Sequence, residues 1–269
     1  MADQEVGHAT IISNMLGAAA PQPCNYTYPF NTVGEFLDFT IKNTRYGESG
    51  TYGFMSHLNS RPAQALVQAS IATEARQQMI FRQFGGLFAQ PFYFVAGVPQ
   101  SWQWTLLAPS IASCPANQTR LIWQNFPALE IHNPVNFTNS SIGDLRYTPG
   151  ISRSRKTPLS YPNRTLELSW ELPGKAVGPD LSYLTSTSAG APAFVAWVSQ
   201  VNVTYTPLTV INATHGTTFQ PDVLTLGGAP AVNGTVFVAV TDQDIFVTPF
   251  NITQINPHVV AGPALFIAG

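Results

Sequence analysis

At 269 residues, with 45% hydrophobic and 10% charged residues and a formal net charge of −2, the chain has material for one large domain or two ordinary ones. No basic run or patch stands out, which argues against nucleic acid as a partner. No stretch is apolar for long enough to cross a membrane as a helix.

Residues 1–16 read as a helix in which Glu5, His8, Ile12 and Met15 share a face, ended by Gly17 and the Pro21/Pro23 loop. A second helix starts near Asn31–Thr32, where Thr32 and Glu35 have capping-box spacing. It runs to about Leu58, and Leu37, Ile41, Thr44, Glu48, Thr51 and Met55 share one face. Gly47 and Gly50 flank Glu48; each costs about 1 kcal/mol in a helix and leaves room for close packing or for the acid. A third helix starts at Ser60 with Pro62 just inside it and ends at residues 85–86. Its apolar stripe (Ala63, Leu66, Val67, Ile71, Phe81, Phe84) also contains Glu74, Gln77 and Gln78. A carboxylate in such a stripe costs several kcal/mol unless it is paired or binds a metal. Three helices that each turn an acid toward the core are the arrangement from which di-iron carboxylate bundles build their sites.

Residues 87–130 are rich in Pro, Phe and Trp. They read as a loop, a short helix at 100–107 and then extended chain, with the aromatic rings packed on one end of the bundle. From 131 onward helical periodicity disappears. Thr165–Leu172, Ala193–Tyr205, Val236–Thr241 and Ala264–Ala268 alternate or run apolar as strands do. Several short strands between turn signals predict an antiparallel sandwich. The expected class is α+β: a helical domain over 1–130 and a β-rich domain over 131–269. The basic stretch at 152–158 reads as an exposed linker or a processing site.

With so few charges, sugar is the expected solubilising group. Asn-X-Ser/Thr sequons occur at Asn25, Asn117, Asn136, Asn139, Asn163, Asn202, Asn212, Asn233 and Asn251, which predicts a secreted glycoprotein. Cys24 and Cys114 fit one disulfide in an oxidising compartment, two separate buried thiols being the alternative. The opening MADQEVGHAT has neither the basic start nor the apolar core of a signal peptide and reads as the middle of a helix. The expectation is an N-terminally truncated form of a longer secreted protein, a cytoplasmic unglycosylated form being the alternative.

The stretches ADQEVGHATIISNMLGAA, CNYTYPFNT, the Gly-Glu-Ser-Gly helix, TEARQQMIFRQF and PQSWQWTLLAPSIASCP resemble a fungal ferritin-like family of stress-response and late sexual-development proteins. VAWVSQVNVTYTPL and INPHVVAGPALFIAG resemble the β-rich C-terminal part of that family. The resemblance spans the whole chain and implies a four-helix ferritin-like bundle joined to a sandwich-like domain. Such bundles take a Glu from each of two helices and a Glu-x-x-His from each of two others. By that pattern Glu5 and His8 form one pair and Glu48 is a single Glu. Glu74 and Gln77 form the second pair, with Gln where His is expected. Members begin with a signal peptide and a further bundle helix. Neither is found in this sequence, so at most four of six ligand positions are filled and one core face is left for self-association to cover.

Carboxylates with imidazole suit iron, manganese or zinc, and the resemblance makes iron or manganese the expected cofactor. The competing reading is a buried hydrogen-bonded network of these groups with Arg45, Tyr46, Arg76 and Gln77. The expected function is a secreted stress-response or developmental protein with a degenerate non-haem metal site, found outside the cell or in the wall in its full-length form. The rival is a structural or cell-surface glycoprotein with a metal-free bundle and a sandwich that binds a wall polymer or another surface partner. No nucleophile elbow, phosphate loop or dinucleotide fingerprint is present. His57, His132, His215 and His258 lack ligand spacing. Glu167 and Glu171, four apart, read as solvent-facing rather than as a glycosidase pair.

Overall fold

The computed structural model describes residues 1–85, 87, 89, 92–134, 160–225, 227–228 and 230–268. The sequons at Asn136 and Asn139 and the basic stretch at 152–158 lie outside the described residues. Three long helices come first: α1 (Ala2–Leu16), α2 (Val33–Met55) and α3 (Arg61–Phe84). Capping chemistry sets two of the starts. At α2 the Thr32 hydroxyl accepts from the Glu35 amide at 3.2 Å, and the Glu35 carboxylate accepts from the Thr32 amide at 3.1 Å. At α3 the Ser60 hydroxyl accepts from the Ala63 amide at 3.3 Å, with Pro62 in the first turn. At its other end α2 stops at Met55, one turn short of the expected Leu58.

α2 and α3 pack through Leu37, Ile41, Phe81 and Leu87. α1 behaves differently. None of its residues is buried, and Ile12 and Met15 are exposed. The face expected to meet a core therefore does not do so among the described residues, and α1 meets α3 through polar side chains instead. The link from α1 to α2 is pinned by a two-strand ladder, β1 (Asn25–Tyr26) with β2 (Ile111–Ser113). The Cys24–Cys114 disulfide closes it.

α4 (Gln100–Leu107) forms where the short helix was expected and packs on α2. Its approach depends on glycine. A Cβ on Gly53 would lie 1.9 Å from the Val98 carbonyl oxygen, and one on Gly50 would lie 2.2 Å from the Gln103 side chain. The Val98 amide donates to the Ser49 carbonyl at 3.0 Å in the same crevice.

The β-rich part runs β3 (Leu129–Ile131), β4 (Thr165–Trp170), the short pair β5 (Ala176–Val177) and β6 (Tyr183–Leu184), then β7 (Phe194–Ser199), β8 (Asn202–Pro207), β9 (Thr209–Asn212), β10 (His215–Phe219), β11 (Gly234–Thr241) and β12 (Val259–Ala268). Two four-stranded antiparallel sheets result, ordered β3-β4-β10-β9 and β12-β11-β7-β8. The expected division after residue 130 falls inside β3. Ala193–Tyr205, expected as one strand, is a hairpin instead: Gln200 takes φ +55° and reverses the chain between β7 and β8. The C-terminal strand starts at Val259, five residues before the expected Ala264.

Leu166, Leu168 and Trp170 of one sheet meet Val195, Trp197, Val238 and Phe266 of the other. The far face of the second sheet is also covered, where Ala196, Val198, Phe237 and Val259 meet Val98, Trp102 and Ile255. Burial on both faces explains why all eight residues of β11 are buried and why its centre, Val236–Val240, reads as an unbroken apolar run. Ile267 of β12 reaches into the α2–α3 cluster, so helices and sandwich share packed side chains.

Candidate metal centre

α1 carries Glu5 and His8 one turn apart, and α3 carries Glu74 and Gln77 at the same spacing, so each pair projects from one helix face. The two faces meet. His8 Nδ1 lies 3.5 Å from Glu5 Oε2 and 3.7 Å from Glu74 Oε1. One donor atom from each of the three side chains falls within 4.8 Å of the other two. Gln77 does not add a donor to this cluster. Its amide nitrogen donates to Glu5 Oε1 at 2.7 Å and to Gln4 Oε1 at 3.1 Å, which fixes the Glu5 carboxylate.

Glu48, the remaining expected ligand, is drawn elsewhere. It is buried on α2 with Arg45, whose guanidinium lies 3.0 Å from Glu48 Oε2 without the alignment of a hydrogen bond. The pair occupies i and i+3 of one helix, so it forms without help from α1 or α3. Arg76 lies on the surface and donates to Thr73, outside the network expected for it, and Tyr46 packs against the apolar cluster of Val98, Trp102 and Val198.

Electrostatics separates the two inner acids. Burial, then the neighbouring Glu5 and Glu48 carboxylates, pushes Glu74 up to about 8. Burial raises Glu48 as well, against the pull of Arg45. Burial raises the Tyr52 hydroxyl, which the hydrogen bond to Gln68 opposes. Sequence reasoning did not single out Gln4 or Tyr52, and it gave Gly47 as room for close packing or for Glu48 rather than for Glu74. A Cβ on Gly47 would lie 3.3 Å from Glu74 Oε2, so this glycine makes room for the acid on the facing helix. The Gly47/Gly50/Gly53 spacing on one face of α2 was the available signal.

The donor set fits one divalent cation. Two carboxylates and an imidazole converge, and His8 Nδ1 is buried with no hydrogen-bond partner among the described residues. It does not fit two. The Glu48 carboxylate that would bridge a second ion faces a guanidinium, and Gln77 offers a neutral amide already bonded to Glu5. The other histidines lie apart. His132 and His215 stack with centroids 6.4 Å apart on the sandwich, His258 pairs with Asp242 at 2.9 Å, and His57 is exposed. Glu167 is exposed on β4, and Glu171 pairs with Lys175 at 2.5 Å.

A family model described as a ferritin-like domain matches residues 1–86, the span of α1 to α3. Protein rds1 of Schizosaccharomyces pombe is 50% identical over 279 aligned residues, which cover 100% of this chain and 69% of that protein.

Proposed function

The chain belongs to the ferritin-like family that includes Protein rds1 of fission yeast, and from that premise we propose a secreted fungal stress-response or developmental protein whose helices hold a single divalent cation. The observation that carries this is the convergence of Glu5, His8 and Glu74 around an unpartnered, buried imidazole nitrogen. Iron or manganese is the ion of choice for this donor set, and either supplies one-electron redox chemistry when bound. Within the chain, Gln77, held by Gln4, orients the Glu5 carboxylate, Gly47 leaves space for that of Glu74, and Arg45 keeps Glu48 occupied on α2. Secretion is supported by the disulfide and by sequon asparagines that reach solvent at Asn25, Asn117, Asn163, Asn202 and Asn212.

Elemental mass spectrometry of the chain after exposure to Fe(II) or Mn(II) tests the metal reading. The expected result is about one ion per chain, lost in Glu74→Ala and retained in Glu48→Ala, from the one-site donor count. A folded wild-type chain that takes up no metal above background sinks it. The Arg45–Glu48 pair and the Gln77–Glu5 bond favour a second reading. A bundle whose acids already have protein partners is a scaffold, and the sandwich then binds a cell-wall polymer or a surface partner. Retention on wall polysaccharide by a metal-free chain would select that reading.

A further inference from the structure

The two flanks of the sandwich differ. On one, β3 and β12 lie together, the Gly262 amide donates to the Pro127 carbonyl at 2.8 Å, and Ile267 is packed under α2 and α3. On the other, β8 pairs only with β7 and β9 only with β10 among the described residues. The chain passes from one sheet to the other at Leu208, so both unpaired strands border the same side. All four residues of β9 are exposed, including Val210 at 46% and Ile211 at 65%. Unpaired apolar edge strands of this kind template pairing with another chain unless something blocks them. Of the usual blocking devices, Lys and Arg are absent from both strands and Pro207 stands only at the end of β8, which leaves the shortness of β9 and the register shift at His215/Gly216 in its ladder with β10.

Two sequons bracket this flank. Asn202 is the first residue of β8, and Asn212 is the last of β9. Both are exposed. Asn202 makes no side-chain hydrogen bond among the described residues. Asn212 uses only its carbonyl oxygen, which accepts from the Thr214 amide at 2.9 Å and also faces the Thr214 hydroxyl and the His215 ring, so its amide nitrogen has no partner among the described residues. Other sequons are engaged: the Asn25 amide nitrogen donates to Ser113 at 2.9 Å and that of Asn251 to Gln254 at 3.2 Å.

We infer that Asn202 and Asn212 carry N-linked glycans that screen the open β8/β9 flank against edge-to-edge association. This rests on the secretory reading above. Transfer joins the asparagine Nδ2 to the anomeric carbon of an oligosaccharide carried on a lipid pyrophosphate. The anomeric C–O bond breaks, and the lipid pyrophosphate leaves together with the proton that the amide nitrogen gives up. A hydrated glycan at each end of the flank occupies the volume that a second strand would need.

The test is to secrete the full chain from yeast behind a leader, map glycans by peptide mass spectrometry, and size the protein by sedimentation. Expected are glycan on both asparagines, a monomer for the parent and for Asn117→Gln, and loss of the monomer to larger species when both flank sequons are removed. Asn202→Gln with Asn212→Gln and Thr204→Val with Thr214→Ala remove them by independent routes. Adding Ile211→Lys to either pair restores the monomer, which a mere folding defect would not allow. Glycan at Asn117 and Asn163 with Asn202 and Asn212 bare overturns the proposal and spares the secretory reading. Occupied sites whose removal leaves a monomer, or association that Ile211→Lys does not reverse, also overturns it. A chain bare at every sequon ends both.

Discussion

Glu48 and Glu74 face the same interior from neighbouring helices, yet their immediate partners give them different work. Glu48 has a guanidinium beside it, whereas Glu74 has carboxylates for neighbours and an ordinary value of 4.5 raised to about 8. Between those two values the folded chain holds a proton that the unfolded chain has released. The stability of the metal-free protein therefore falls as pH rises through that window. Urea midpoints measured from about pH 5 to about pH 8 should decline in the wild type and flatten in Glu74→Gln. Metal binding displaces the same proton, so affinity should rise over the same range. Helical spacing made the inward position of both acids legible. The turn of Glu48 toward Arg45 was legible only as one of two readings, because spacing cannot rank an i, i+3 partner against a ligand set spread over three helices.

Helix α2 is shaped by what it lacks. Gly53 lies against the Val98 carbonyl and Gly50 against Gln103, whereas Gly34 on the same helix has open space around it. Gly53→Ala forces the helix off its neighbour and should cost at least the ~1–3 kcal/mol of an overpacked core. Gly34→Ala should gain up to about 1 kcal/mol from helix propensity alone. Paired thermal melts read both. Helix starts were legible because Thr32, Glu35, Ser60 and Pro62 carry local chemistry that no tertiary contact has to supply. The β7–β8 reversal was not legible, since Gln200 in a left-handed conformation carries none of the Gly or Asn signals that announce a turn. The polar docking of α1 escaped the sequence for the opposite reason. Its Ile12 and Met15 keep helical spacing but meet no core among the described residues.

Across the whole molecule, the second sheet is the structural middle. One face meets the first sheet, the other meets α4 and the loop before it, and its last strand reaches the α2–α3 cluster. Cores that share side chains melt together. Calorimetry should therefore show one transition for α2, α3 and the sandwich, with matching midpoints from far-ultraviolet dichroism and tryptophan fluorescence. Two resolved transitions would mean that the shared packing is weak. α1 stands outside this unit. It buries no residue, while the chain that follows it is stapled to the body at Cys24. Such a helix can lift away and return without the rest unfolding, at little cost in buried apolar surface. Because the staple keeps it nearby, Glu5 and His8 re-seat against Glu74 at an effective local concentration of the order of millimolar rather than by search through solution. On the proposed single-cation reading, the residence time of the ion would be set by how long α1 stays down, and the staple would set how quickly the clasp closes again.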